Sequence, residues 1–295
     1  MSIISIKNLT CDYGGGRGVF DLSFAVEEGE VFGFLGPNGA GKTTTIRHLM
    51  GFSRPKRGQC SIQGLDSWKS AAEIQKNLGY IAGETAFPDD MTGVAFLRFL
   101  AEYRGMKGLG RAQELMERFD LDGRGRLRRM SRGMKQKVAI VAAFMHDPGV
   151  LILDEPTGGL DPLMQGRFID LILEEKGRGK TILMSSHMFD EVERTCSRVA
   201  ILRQGRLAAV EAVEKLKAAQ RTTYLVTLAD RAEADAFFAE GLAVTARDGN
   251  WMTVAVQNDL EPFLQALARR RVAALHSVEQ TLEEAFMHFY GGEAR

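Results

Sequence analysis

Residues 36–43 read Gly36-Pro37-Asn38-Gly39-Ala40-Gly41-Lys42-Thr43, which matches the pattern G-x-x-x-x-G-K-[ST]. Glycines at these positions can adopt positive φ angles and leave room for an anion, so that backbone N–H groups converge on a di- or triphosphate. The Lys42 ammonium would bind the β- and γ-phosphates, and the Thr43 hydroxyl would hold a magnesium ion that bridges them. The stretch therefore predicts a phosphate-binding loop.

The segments that flank this loop occur in the order that a phosphate-binding loop requires. Residues 31–35 are short, apolar and β-prone, whereas residues 44–50 follow a helical pattern. The positive N-terminus of that helix would face the phosphates. A glycine turn that binds nothing is the alternative, and this context disfavours it.

The composition indicates an ordered globular protein without a net charge. The chain has 295 residues, and its 38 lysines and arginines balance 38 aspartates and glutamates. No global field therefore favours nucleic acid or an anionic membrane as a partner. The three cysteines are widely spaced and fit a reducing cytosol. Because the longest apolar run, residues 138–145, is too short to span a bilayer, we expect a soluble, cytoplasmic chain.

Two later strands are predicted to end in polar side chains that could act on a phosphate. The apolar residues 150–153 are followed by Asp154 and Glu155, and residues 180–186 lead to His187 in a similar way. The carboxyl ends of parallel strands are where α/β sheets place ligands. Asp154 would support the magnesium shell, Glu155 could polarise a water toward the γ-phosphorus, and His187 could contact the γ-phosphate. Solvated acids and a structural histidine are the alternatives.

The N-terminal residues predict two strands, residues 3–9 and 20–26, joined by a flexible turn at residues 12–16. Tyr13 lies in that predicted turn. Its ring could stack on a base at the rim of a nucleotide pocket, since aromatic faces bind flat ring systems. A partly exposed loop tyrosine is an equally good interpretation.

A helical insertion is predicted at about residues 85–147. Apolar residues recur at helical spacing in residues 92–103 and again around residues 115–119. A third helix follows Ser131, which can cap it, and Gly133 would let another molecule approach its positive end. This segment is either a second anion site or an ordinary capped helix.

Taken together, these segments resemble the nucleotide-binding subunit of ATP-binding cassette (ABC) transporters over residues 1–215. The resemblance implies an α/β P-loop NTPase cassette with a parallel-sheet core, an antiparallel β subdomain and the helical insertion. The family's signature motif is usually written L-S-G-G-Q. Here Arg132 replaces the first glycine and Met134 the glutamine, while Ser131 and Gly133 remain. The resemblance assigns catalysis to Glu155, His187 and Lys42, magnesium to Thr43 and Asp154, and ATP contacts to Tyr13, Gly36, Pro37, Asn38, Gly39, Ala40, Gly41, Lys42, Thr43, Thr44, Ser131, Gly133 and Asp161.

One position departs from the family pattern. Where the family usually has a glutamine that joins the magnesium shell, direct alignment places Gly83, and Glu84 follows it. Glu84 could supply the missing oxygen from the next position. The sequence leaves open which of the two residues serves at this position.

The resemblance also implies how such a protein would work. Two copies would pair head to tail, with each ATP and its Mg²⁺ between the 36–43 loop of one copy and the Ser131 helix of the other. Closure and hydrolysis would power a separate integral-membrane permease that exports a drug, antibiotic, peptide or lipid-like substrate, as in ABC-2-type exporters. The protein would then lie on the cytoplasmic face of the membrane. The alternatives are a regulatory ATPase without a transport role, including one that acts on ribosomes or DNA, and a regulator that binds ATP without hydrolysing it.

Residues 216–295 predict a separate accessory domain. Strand and helix patterns alternate as β-α-β-β-α-β, which suggests a small ferredoxin-like unit. A closing helix is predicted to begin at Thr281, with Glu284 completing a capping box. We see no catalytic cluster there, and a structural or regulatory role is preferred over ligand sensing.

Overall fold

The computed structural model describes residues 1–218, 222–256 and 259–279. The chain divides into two compact units, Met1–Val213 and Glu214–Arg295. The first unit contains strands β1 (Ser2–Gly14), β2 (Arg17–Glu27), β3 (Val31–Leu35), β4 (Arg57–Ile62), β5 (Leu65–Asp66), β6 (Leu78–Ile81), β7 (Val150–Asp154), β8 (Thr181–Ser186), β9 (Arg198–Arg203) and β10 (Arg206–Ala212). Its helices are α1 (Lys42–Leu49), α2 (Ala71–Lys76), α3 (Gly93–Tyr103), α4 (Gly110–Arg118), α5 (Arg132–Phe144), α6 (Pro162–Gly177) and α7 (Phe189–Thr195).

A six-stranded sheet forms the centre of the first unit, in the order β10-β9-β3-β8-β7-β6. Its first five strands in chain order pair in parallel, and β10 alone runs antiparallel to its neighbour β9. Every residue of β3, β7 and β8 is buried, as expected for parallel strands covered on both faces. The carboxyl ends of these three strands therefore meet at one edge of the sheet, where the predicted polar residues follow them.

A four-stranded antiparallel sheet, in the order β2-β1-β4-β5, forms a second layer. The two sheets share an apolar core, in which Phe24 stacks on Phe32 with ring centroids 5.4 Å apart. The predicted turn at residues 12–16 is wrong in extent, since Gly14 already pairs with Arg17. A two-residue turn, Gly15-Gly16, suffices because both residues adopt positive φ angles of 62° and 73°.

The helical insertion is present as α3, α4, a short 3₁₀ turn at Leu127–Arg129, and α5. The Thr92 side chain accepts a hydrogen bond from Ala95 N and caps α3. Ser131 accepts one from Met134 N at 3.2 Å and caps α5, as predicted. The predicted helices are confirmed, including the apolar face that buries Leu115 and Phe119.

In its described residues, the second unit has a four-stranded antiparallel sheet and three helices, the first of which begins at the boundary between the units. Helix α8 (Val213–Ala218) is followed by β11 (Thr222–Leu228), α9 (Arg231–Phe238), β12 (Val244–Asp248), β13 (Trp251–Val256), α10 (Glu261–Ala268) and β14 (Val272–Glu279). The sheet order β12-β13-β11-β14 and the β-α-β-β-α-β succession are those of the predicted ferredoxin-like arrangement. Phe237 and Phe263 lie in its core. The predicted closing helix, with Thr281, Glu284 and the apolar residues Leu282, Ala285, Phe286 and Phe289, lies outside the described residues.

Within the described ranges, no helix combines the length and the apolar character needed to cross a membrane.

Candidate functional site

The predicted phosphate-binding loop connects the buried end of β3 to the first residue of α1. Gly39 and Gly41 adopt positive φ angles of 79° and 110°. A Cβ atom on Gly41 would lie 2.6 Å from Val19 Cγ1, so both the backbone conformation and the space favour glycine. Ala40 is buried and donates its N–H to Pro37 O at 3.1 Å, whereas Pro37, Asn38 and Gly39 are exposed around this turn.

The first turn of α1 begins directly after the loop. Thr43 is exposed and Thr44 is half-buried, so the Thr43 hydroxyl is accessible from solvent. The N–H groups of a first helical turn have no partners within the helix and carry partial positive charge. This end of α1 is therefore suited to an anion, as the sequence predicts.

Lys42 is buried and directs its ammonium back along the loop. Its Nζ donates to Gly36 O at 2.5 Å and lies 3.4 Å from Pro37 O. It also forms an ion pair with Glu155, with 3.1 Å between Nζ and Oε1. The loop after β3 and the acid after β7 therefore face each other across the sheet edge.

Asp154 is completely buried at the end of β7. Its Oδ1 accepts a hydrogen bond from the Ser185 hydroxyl on the neighbouring strand β8. Its Oδ2 is also buried but accepts no hydrogen bond from any described residue. A buried carboxylate oxygen without a donor is costly, and a cation would satisfy it.

These residues fit a magnesium ion. Mg²⁺ in phosphate sites is held by one or two protein oxygens together with phosphates and waters, so Asp154 and the Thr43 hydroxyl suffice. In the described part of the chain, no group of three or more His, Cys, Asp or Glu side chains could hold a metal ion by itself.

Gly83 lies against the unpaired oxygen of Asp154. A Cβ atom on Gly83 would be 3.0 Å from Asp154 Oδ2. Glu84 is exposed, and none of the described contacts joins it to Asp154. The backbone thus brings position 83, the one reached by direct alignment, to the carboxylate.

Glu155 stands at a sharp turn with a left-handed φ of 49°, an uncommon conformation for a glutamate. Its N–H is held by Ser185 O at 3.2 Å and Ser185 Oγ at 3.1 Å. Its Oε2 lies 2.5 Å from His187 Nδ1, and the His187 ring is about half exposed. The structure therefore brings together Lys42, Glu155 and His187, the three residues predicted to be catalytic.

Ser185 is a site residue that the sequence analysis did not identify. It contacts both Asp154 and the Glu155 backbone from the end of β8. A signal was present, because Ser185-Ser186 are polar and completely buried at the end of an otherwise apolar strand. Its partner, however, is 31 residues away in the sequence.

Ser131, Gly133 and Asp161 belong to a second cluster. Gly133 packs so closely on the loop after β7 that a Cβ atom there would lie 2.6 Å from Gly159 O. Asp161 caps α6 by accepting a hydrogen bond from Met164 N at 2.9 Å. Among the described contacts, none links Ser131 to Lys42.

Tyr13 lies at the end of β1 instead of in a loop, and 58% of it is exposed. Its hydrogen bond to Cys11 raises the pKa of the phenol, and partial burial adds to the increase. The exposed ring leaves an aromatic face accessible, and base stacking by Tyr13 stays a prediction.

Comparison with known proteins adds independent information. A family described as ABC transporter matches residues 19–158. The ABC transporter ATP-binding protein YhcH of Bacillus subtilis is 32% identical over 297 residues, which cover 98% of this chain and 96% of the relative. The bacitracin transport ATP-binding protein BcrA of Bacillus licheniformis is 36% identical over 238 residues, covering 79% and 77%. A solved structure described as the ATP binding subunit of an ABC transporter is 32% identical with a TM-score of 0.68, covering 73% of this chain and 92% of that one.

Proposed function

The chain belongs to the ATP-binding proteins of ABC transporters, which are ATPases, and we propose that two copies hydrolyse MgATP between them to drive export through a separate membrane permease. The observation that carries the proposal is the convergence of Lys42, Glu155 and His187 at one sheet edge, with 3.1 Å and 2.5 Å between the interacting atoms. A cation, a carboxylate and an imidazole at the end of a phosphate-binding loop form a set that suits phosphoryl transfer to water.

In the proposed complex, the triphosphate lies on the loop from Gly36 to Thr43. The γ-phosphate competes with Glu155 for the Lys42 ammonium, because a phosphate carries more charge than a carboxylate. Lys42 then neutralises the phosphate, and the Glu155 carboxylate is released toward a water. Thr43 and Asp154 would hold Mg²⁺ through the threonine hydroxyl and the unpaired carboxylate oxygen, and the ion would supply charge stabilisation to the phosphates.

The hydrolytic step follows from this arrangement. Glu155 accepts a proton from the water as the water oxygen bonds to the γ-phosphorus. The bond from the γ-phosphorus to the bridging oxygen breaks, and that oxygen leaves with ADP. His187 holds the γ-phosphate and the water through the ring edge that faces away from Glu155. The products are ADP and inorganic phosphate.

The second copy completes the site in this proposal. Ser131 and Gly133 lie at the N-terminus of α5, and a helix N-terminus favours a phosphate. Because no described contact joins Ser131 to Lys42 within one chain, we place the Ser131 of one copy on the ATP held by the other. A head-to-tail dimer with two equivalent sites satisfies this requirement.

The permease is proposed to dock beside the helical insertion. A cavity of about 310 Å³ lies there, with an apolar lining that includes Tyr80, Phe87, Phe96 and Leu100. Its lining also includes Ala82 and Thr85, on either side of Gly83 and Glu84, so a docked helix would reach the segment that touches Asp154. The similarity to BcrA favours an antibiotic, drug, peptide or lipid-like substrate for export. It also favours a location of this protein on the cytoplasmic face of the membrane.

The test uses Glu155→Gln, an isosteric change that removes the proposed base. We expect phosphate release to fall by about 100-fold or more, while ATP still binds and an ATP-bound dimer accumulates in size-exclusion chromatography with light scattering. Lys42→Ala is the matched control, since it should abolish both ATP binding and the dimer. Normal phosphate release by Glu155→Gln would refute the assignment of the base.

An affinity-tagged form of Glu155→Gln, purified from cells with ATP in mild detergent, should carry its partner with it and so identify that partner. Recovery of a polytopic membrane protein supports the transport function. Recovery of ribosomes or DNA instead would replace it with the non-transport alternative.

A further inference from the structure

The loops that carry Glu155 and His187 are joined by a buried carboxylate that belongs to neither loop. Glu191 lies in α7 and is only 3% exposed. One carboxylate oxygen accepts a hydrogen bond from the Thr157 hydroxyl, and the other accepts one from the Ser186 hydroxyl at 2.9 Å. Thr157 follows Glu155 by two residues, and Ser186 immediately precedes His187. Glu191 therefore connects the loop that follows β7 to the loop that follows β8.

The two hydrogen bonds, from Thr157 and from Ser186, are the arms of this link, and each attaches Glu191 to the turn beside a proposed catalytic residue. Thr157 is 5% exposed and lies in the turn that follows the left-handed Glu155, where Gly158 N donates to Glu155 O at 3.1 Å. Ser186 is 1% exposed, and its hydroxyl also accepts a hydrogen bond from the Met188 N–H at 2.9 Å, across His187. The left-handed conformation of Glu155 is uncommon, so the side-chain anchor at Thr157 helps to define that turn.

The position of Glu191 carries an energetic cost that a purely structural residue could avoid. Burial raises the pKa of its carboxyl, and the nearby Glu155 carboxylate raises it further, whereas the two hydroxyl donors lower it. An apolar side chain would fill this place at lower cost if packing were the only requirement. The hydrogen bonds to both loops offer a reason for a carboxylate here.

We propose that Glu191 is a positioning residue for ATP hydrolysis, which fixes the distance between the Glu155 carboxylate and the His187 ring by binding Thr157 and Ser186 together. This inference rests on the proposed roles of Glu155 and His187. Removal of the link lets the two loops separate, and displacement of catalytic groups by about 1 Å lowers the rate by as much as 100-fold. ATP binding depends on the 36–43 loop and is unaffected.

The experiment compares Glu191→Leu, Glu191→Gln, Thr157→Val and Ser186→Ala in the full-length protein. We expect Glu191→Leu to lower kcat by about 10- to 100-fold with KM for ATP within about twofold. Glu191→Gln should retain most of the activity. The Thr157 and Ser186 hydroxyls can each donate or accept a hydrogen bond, so the glutamine amide can bind both of them. Thr157→Val removes one arm and should lower kcat in the wild type but not further in Glu191→Leu.

The variants with one arm removed keep the test decisive if Glu191→Leu folds poorly. Folding of the first unit is followed by Trp68 fluorescence in a Trp251→Phe background. Unchanged kcat in Thr157→Val, Ser186→Ala and Glu191→Leu would overturn the proposal. An equal loss in Glu191→Gln and Glu191→Leu would also overturn it, because charge and not geometry would then be responsible. Glu155→Gln is measured in parallel: if that variant is active, the proposed function has failed instead.

Discussion

Buried carboxylates lie at both edges of the six-stranded sheet, where the strands begin and where they end, but their hydrogen-bond partners differ. At the amino ends of the strands, Glu175 is 3% exposed and accepts hydrogen bonds from Arg111 at 2.8 Å and from Arg178 at 2.9 and 3.1 Å. Both oxygens of Glu30 there face Arg198 at 3.3 Å. At the carboxyl ends, Asp154 Oδ2 is buried without a donor.

This difference separates structural from functional charge. A carboxylate whose oxygens are both bound by arginine is already neutralised by a cation of the same chain, and its removal leaves the guanidinium groups without their partner. A carboxylate with one free buried oxygen costs stability until a cation binds it. The carboxyl edge thus has an unpaired acidic oxygen that the proposed magnesium ion would use, whereas the carboxylates of the amino edge are paired with arginines of the same chain.

The largest expected effect is that of Asp154→Asn. The amide still accepts the hydrogen bond from Ser185 but no longer carries charge for Mg²⁺, so phosphate release should fall by about 100-fold or more. The free energy of unfolding, measured by urea without nucleotide or metal, should stay the same or rise, because the change removes an unpaired buried charge. Trp68 fluorescence in a Trp251→Phe background reports on the first unit alone, since these are the chain's two tryptophans.

A decrease of several kcal/mol in the unfolding free energy of Asp154→Asn would contradict the distinction between the edges. The nucleotide provides a second check. MgATP should raise the midpoint of wild-type unfolding by mass action and raise that of Asp154→Asn much less.

The matched change at the amino edge is Glu175→Gln. It leaves Arg111 and Arg178 without their shared carboxylate, and both guanidinium groups are partly exposed and can be solvated. We therefore expect a loss of about 2 to 3 kcal/mol in unfolding free energy, below the cost of an unpaired charge in a dry core. Phosphate release at 25 °C should stay within about twofold of the wild type. A loss of turnover like that of Asp154→Asn would show that the two edges do not differ in function.

The sequence predicted those parts of the site that depend on neighbours along the chain. The loop at residues 36–43 and the Ser131 cap of α5 are local patterns, in which the residue type and the backbone conformation constrain each other. Asp154 and Glu155 were found because a run of apolar residues ends at them. The antiparallel sheet order of the second unit likewise follows from the succession of its elements.

The contacts between strand ends could not be predicted in the same way. The contacts of Ser185 with Asp154 and of Thr157 with Glu191 join residues 31 and 34 positions apart, and the local pattern of an element does not identify its partner. Only the pairing of β7 with β8 brings them together. The turn at residues 15–16 was misjudged for a related reason, since the pairing of Gly14 with Arg17 decides where strand β1 ends.

The smallest expected effect concerns His146, a half-buried group at the amino edge. Its Nε2 lies 3.2 Å from Leu78 O, an oxygen that Arg104 also approaches at 3.4 Å. Burial lowers the pKa of His146 to about 4 from its ordinary value of 6.5, and the Arg104 guanidinium lowers it further. Between these two pH values the unfolded chain binds the proton that the folded chain rejects, so stability decreases as the pH falls from 6.5 toward 4.

His146→Gln should remove part of that decrease. The unfolding free energy of the wild type should fall between pH 7 and pH 4.5 by about 1 to 2 kcal/mol more than that of the variant, a value reduced because the imidazole retains some solvent contact. Urea unfolding at the two pH values, followed by Trp68 fluorescence, measures the difference. Burial also lowers the pKa of His48, but His48 is present in both proteins and cancels. If the wild type and His146→Gln show the same pH dependence, protonation of His146 does not contribute to the free energy of unfolding. If His146→Gln changes phosphate release at pH 7.5, the amino edge also affects catalysis.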